Sequence, residues 1–112
     1  MAIIYKIFRE HEYAEFLTAG RTDGAPIDVQ DGYIHFSTAN QVEVTASKHF
    51  SGESGLKLLG IEADNLTDLK WEPSRGGALF PHLSRELRTE DVLFVRDLPF
   101  EDGRHRFEGL WT

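Results

Sequence analysis

The sequence predicts an α+β fold: a partly antiparallel sheet with two main helices, both in the N-terminal half. Three observations lead to it. Short runs rich in aliphatic and aromatic residues recur at Ile3 to Phe8, Tyr33 to Phe36, Leu56 to Glu62 and Val92 to Leu98. Helical spacing is confined to Glu10 to Ala19 and Ala39 to Phe50. The second half carries strand patterns without helices, so it lacks the crossovers that a doubly wound parallel sheet requires.

Ile3, Tyr5 and Ile7 alternate with Ile4, Lys6 and Phe8. Both faces are mostly apolar, which predicts an interior strand interrupted by Lys6. Glu10 to Ala19 sets Tyr13, Phe16 and Leu17 on one stripe, puts Glu10 and Glu12 in the first turn, where they suit the helix dipole, and ends at Gly20. Arg21 to Asp31 has Gly24, Pro26 and no clear period, and reads as a loop. Tyr33 to Phe36 returns to the sheet. Thr38 and Gln41 stand at capping-box spacing before a helix whose buried stripe is expected to be Val42, Ala46, His49 and Phe50.

Gly52 and Gly55 break the chain before the strand Leu56 to Glu62, whose adjacent Leu58 and Leu59 predict two covered faces. Asp64 to Leu69 reads as a turn and Lys70 to Glu72 as a short strand. Pro73 to Gly77 reads as a loop, because proline and paired glycines suit neither element. Leu79 to Leu83 resumes an apolar pattern. Arg88 to Asp91 is a polar turn into Val92 to Leu98, and Glu101-Asp102-Gly103 has the composition of a hairpin tip before a final strand near Arg104 to Trp111.

At 112 residues the chain is expected to form one domain over 1–112 with a core that needs no staples. It has no cysteine, which excludes disulfides and thiolate chemistry and fits a reducing, cytoplasmic setting. No leader pattern or membrane-length apolar run is present, so a soluble, unprocessed protein with no membrane partner is expected. Nineteen acidic against twelve basic side chains give a net charge of −7, which argues against general nucleic-acid binding.

Two stretches carry candidate chemistry. In Gly32-Tyr33-Ile34-His35-Phe36-Ser37-Thr38, alternation puts Tyr33, His35 and Ser37 on one face, with Ile34 and Phe36 toward the core. His35 is then either a ligand contact or proton carrier, or a half-buried histidine satisfied by backbone. Ser37 and Thr38 either meet a phosphate with the helix amides or simply cap the helix. In Trp71-Glu72-Pro73-Ser74-Arg75-Gly76-Gly77 through Phe80-Pro81-His82-Leu83, Arg75 is suited to a phosphate or carboxylate, and Pro81 steers His82. Glu72 is a candidate acid, base or hydroxyl partner; the same loop also reads as a solvated connection. The histidines lack the close pairing of a zinc motif, so no metal site is expected. His49 is expected at a helix C-terminus and His105 on a solvated strand face. No GxSxG, P-loop or GxGxxG pattern occurs.

The segments IYKI at Ile4 to Ile7, DGYIHFST at Asp31 to Thr38, the helix reaching Phe50, KWEPSRGGALFPHL at Lys70 to Leu83 and VLFVRDL at Val92 to Leu98 resemble, in order and over nearly the full chain, the bacterial family known as domain of unknown function 952. More distantly the chain resembles the ADP-ribosyltransferase superfamily, especially its RNA 2′-phosphotransferase branch, whose split antiparallel sheet binds NAD. By that resemblance Tyr5-Lys6 falls at the first motif, with lysine in place of the usual histidine, and His35-Phe36-Ser37 falls at the second. The usual late-strand glutamate has no match in Val92 to Leu98.

The resemblance implies an ADP-ribosyltransferase-like fold, a small mixed, largely antiparallel split sheet, with a groove for a nucleotide or NAD-like small molecule. Tyr5, Lys6, Ser37, Thr38, Glu72, Arg75 and Phe80 would bind the ligand, with His35 and His82 as catalytic residues. Lys6 and Arg75 would hold phosphate, and Ser37 a ribose or amide. The activity implied is ADP-ribosyl or RNA 2′-phosphate transfer; the alternative is a non-catalytic module that binds the ligand without turning it over.

Overall fold

The computed structural model describes residues 2–74 and 77–111. In chain order the elements are β1 (Ile3–Phe8), α1 (Glu10–Ala19), β2 (Arg21–Thr22), α2 (Pro26–Asp31), β3 (Ile34–His35), α3 (Ala39–His49), β4 (Leu56–Glu62), β5 (Leu69–Pro73), β6 (Leu79–Leu83), β7 (Leu87–Arg88), β8 (Val92–Leu98), β9 (Phe100–Glu101) and β10 (Arg104–His105). Single 3-10 turns at Ala63–Asn65 and Thr89–Asp91 precede β5 and β8. The class is α+β, and among the described residues every strand pairing is antiparallel.

Two three-stranded sheets, β1-β4-β8 and β3-β6-β5, carry the architecture. They meet at a single bridge beyond the end of β3, where Tyr5 and Ser37 exchange backbone hydrogen bonds of 2.7 and 2.9 Å. The two sheets share no strand.

The alternation along β1 is realised on both faces. Ile4 and Phe8 join Phe16, Ile34, Phe36, Leu59 and Leu83 in one core, under α1. Tyr5 and Ile7 join Val42, Ala46, Leu58, Leu98 and Phe107 in a second core, under α3 and the C-terminal segment. A sheet covered on both sides explains why β1 and β4 carry apolar residues on both faces. At the middle of β4, Gly60 leaves room for the Phe94 ring: a Cβ there would lie 2.2 Å from it. Leu93 is the extra residue at this point, because Gly60 pairs with Phe94 and Ile61 with Val92.

Several expectations are corrected. The stretch Arg21 to Asp31 is no mere loop: it holds β2 and a third helix, α2, so the first half has three helices. Pro26 at the helix start needs no amide partner, and Asp28 reaches back to the amide of Ala25, yet six residues are too few to display a period. β5 extends through Pro73, which an edge strand tolerates. On α1 only Phe16 is buried, with Tyr13 packed at its margin and Leu17 exposed. On α3 Val42 and Ala46 are buried, but His49 faces out. The last strand is only Arg104–His105, after which Phe107 and Trp111 fold over Tyr5. His105 is buried rather than solvated, its Nε2 lying 2.8 Å from the carbonyl of Glu53.

No helix of the described chain is long and apolar enough to cross a membrane.

Candidate functional site, a pair of carboxylate-held histidines

β3 and β6 place His35 directly opposite His82. Paired residues in an antiparallel ladder project from the same face, and the two imidazole centroids lie 5.2 Å apart at 69°. Tyr33 folds over them, stacked on His82 at 4.2 Å and 11° and tilted against His35 at 4.7 Å. Glu72, one strand further out on β5, holds His82 Nδ1 at 2.8 Å. His35 is the more accessible of the two, with 33% of its side chain exposed against 6% for His82.

Beneath His35 lies Asp28, whose side chain is fully buried. Its Oδ1 accepts from the backbone amide of His35 at 3.1 Å and lies 2.6 Å from His35 Nδ1. Its Oδ2 accepts from the amide of Ala25 at 2.8 Å and from Lys6 Nζ at 2.6 Å. Burial by itself would raise the Asp28 carboxyl; the bond from His35, the charge and bond of Lys6 and the Ala25 amide outweigh it and hold the carboxyl below its ordinary range. An ionised carboxylate only accepts, so the proton of the short contact sits on His35 Nδ1. Burial in turn draws Lys6 below the ordinary lysine range against the pull of Asp28 and Glu12.

Gly24 makes this approach possible. Its φ is +101°, and a Cβ there would stand 2.3 Å from Asp28 Oδ2. The outer edge of His35 meets a second carboxylate, with Nε2 3.1 Å from Asp31 Oδ2 at the end of α2.

Of the residues expected at the site, His35, His82 and Glu72 come together, and Phe80 lies beside Glu72 in the register, half-buried. Lys6 reaches the site from below but is spent on Asp28 and on the backbone carbonyl of His35, at 2.9 Å. In this structure it is a buried support of the site. Tyr5 and Ser37 belong to the opposite side of the sheet. The Tyr5 hydroxyl donates to the carbonyl of Trp111 at 3.1 Å, and Ser37 Oγ is buried 2.9 Å from Thr45 Oγ1. The expected common face of Tyr33, His35 and Ser37 thus holds for the first two only, because the chain turns to bridge β1 at Ser37. Thr38 is the N-cap of α3, and its amide donates to Gln41 Oε1 at 3.0 Å, as the capping-box spacing predicts. Arg75 lies outside the described residues.

Tyr33 and Asp28 also line a cleft of about 230 Å³ walled by Ile34, Leu83 and Arg85. A second hollow of about 160 Å³, between α3 and the β9–β10 hairpin, lies away from the histidines.

The family described as protein of unknown function (DUF952) matches residues 7–95. The chain belongs to this family. Among solved structures, the crystal structure of protein CC0527 from Caulobacter crescentus is 44% identical, with 94% of each chain covered and a TM-score of 0.89. The solution NMR structure of CC0527 is likewise 44% identical, covering 96% of this chain and 94% of that one, with a TM-score of 0.85. No curated protein matches.

Within this DUF952 chain, sequence reasoning missed Asp28, the most connected polar residue of the site. Its signal was present: a buried lysine on an apolar strand face demands an acceptor. Spacing alone does not select Asp28 from the nineteen acidic side chains.

Proposed function

We propose that the His35–His82 pair is the polar centre of a small-molecule site serving a nucleotide or NAD-like ligand. The observation that carries this reading is the duplicated arrangement of the two imidazoles. Each has Nδ1 held by a carboxylate, Asp28 or Glu72, which leaves Nε2 as the nitrogen on the far edge of each ring. Two oriented imidazoles on one sheet face, flanked by the rings of Tyr33 and Phe80, suit a ligand with polar groups and a flat base. The distant resemblance to ADP-ribosyltransferases supplies the NAD-like ligand class.

Binding without transfer is the form favoured by two residues. Lys6, at the superfamily's first motif, is buried in an ion pair, and on β8 the carboxylate Asp97 is engaged by Lys57. Transfer chemistry is the second reading, favoured by the Asp28–His35 contact, since a carboxylate on Nδ1 fixes the tautomer and orientation of an imidazole that moves protons.

Calorimetric titration with NAD, ADP-ribose, AMP and a 2′-phosphorylated RNA end tests the site. Saturable binding by the wild type, lost in both His35→Ala and His82→Ala at unchanged fold, is expected. Equal affinity in all three proteins removes the site. Release of nicotinamide or of 2′-phosphate by the wild type, abolished in His35→Ala, selects the transferase form.

A further inference from the structure

The register of the β3-β6-β5 sheet sets three nitrogen-bearing side chains in one row. His35 pairs with His82, and His82 pairs with Lys70. All three therefore project from the face that carries Tyr33 and Glu72. Neighbouring strands lie about 4.8 Å apart, so the outer members of the row are rooted roughly 10 Å from each other. Lys70 is exposed and forms no ion pair with another described residue. On a chain of net charge −7, the row sets two imidazoles and an ammonium side by side.

A separate observation shows what meets the outer nitrogen of His35. Asp31 already sets a carboxylate oxygen 3.1 Å from His35 Nε2, and 37% of the Asp31 side chain is exposed. Asp28 is locked by four donors below the ring, whereas Asp31 reaches His35 from the solvent side at the end of α2. An incoming oxyanion can replace Asp31 without breaking a buried bond.

We propose that the His35–His82–Lys70 row, with both imidazoles protonated so that each Nε2 donates, binds the phosphate groups of the ligand, and that Asp31 competes with them for His35 Nε2. The inference rests on the small-molecule site proposed above and specifies the part of the ligand it holds. Its span matches a diphosphate better than a single carboxylate. In this proposal Lys70 takes the role that the resemblance implied for Lys6, because Lys6 is bonded to Asp28 and to the His35 carbonyl beneath the sheet.

The test is titration of wild type, Lys70→Met and Asp31→Asn with adenosine, AMP, ADP and inorganic phosphate, followed by calorimetry and by the imidazole NMR resonances of His35 and His82. Affinity is expected to rise from adenosine to AMP to ADP. Lys70→Met is expected to weaken ADP by about three- to tenfold and Asp31→Asn to tighten it by about threefold, the scale of single partly exposed charge contacts, with adenosine unchanged by either. Adenosine and ADP binding equally, with both variants silent, overturns the phosphate row and leaves the nucleotide site standing. Inorganic phosphate moving both imidazoles while nucleotides bind no tighter supports the row and counts against the nucleotide reading. No response to any of the four probes at millimolar concentration overturns both.

Discussion

At the scale of single residues, Asp28 decides how the site is held. Its two oxygens serve Ala25, Lys6 and both the amide and the ring of His35, so no acceptor direction is idle. Asp28→Asn substitutes a donor for one oxygen and leaves the Lys6 ammonium buried without a counter-charge; a loss of about 3–5 kcal/mol in chemical denaturation is expected. Lys6→Met orphans the carboxylate instead, with a loss of the same order. The double variant is expected to recover only part of it, because the side-chain amide introduced by Asp28→Asn still mismatches the amides of Ala25 and His35; full recovery in the double-mutant cycle would show that Asp28 serves Lys6 alone. The acid limb follows from the sign of the shift. The folded carboxyl lies below its ordinary value of 3.8, so its contribution is complete above that value and is lost as the pH falls through the depressed one. Melting temperatures of wild type and Asp28→Asn are therefore expected to converge below about pH 4; parallel curves down to strong acid would contradict the ionised assignment.

Among the elements, β4 shows how a strand covered on both faces makes room for aromatic packing. Gly60 faces the ring of Phe94, which also lies 6.4 Å from Tyr5 in an edge contact. Gly60 has no positive φ, so Gly60→Ala tests close approach alone. The added methyl must displace the ring, and a loss of about 1–3 kcal/mol is expected, the range for overpacking. Because Phe94 is only half-buried, its ring can swing outward, and Phe94→Leu in the Gly60→Ala background is expected to return part of the loss. An unchanged unfolding midpoint in Gly60→Ala would show that Phe94 does not need this gap. α2 belongs to the same scale. A helix of only six residues is held less by propensity than by Asp28, so its position and that of His35 are set together.

On the scale of the whole molecule, one sheet separates two cores. Phe8 lies in one and Phe107 in the other, each 1–2% exposed. Phe8→Ala and Phe107→Ala are each expected to lose about 3–5 kcal/mol, and their effects to add within about 0.5 kcal/mol, as for sites without shared partners. Strong non-additivity in urea unfolding would mean that the cores communicate through β1. The α+β class, the limits of β1, α1, β4 and β8, and the start of α3 were legible because each rests on a local pattern of side chains. Histidines 35 and 82 were legible as candidates for the same reason, since each lies in a short run with a turn or proline beside it. Less could be read of α2, too short for a period, or of His105, whose partner is fifty-two residues away in sequence. By itself, then, the sequence determined the longer strands and helices and which polar residues interrupt apolar faces. Only the tertiary structure decided that Lys6 is answered by Asp28, that Tyr5 and Ser37 face the second core, and that His35, His82 and Lys70 form a row. The reason is physical: local patterns set which face a side chain takes, whereas strand register and the packing of distant segments decide what stands on that face beside it.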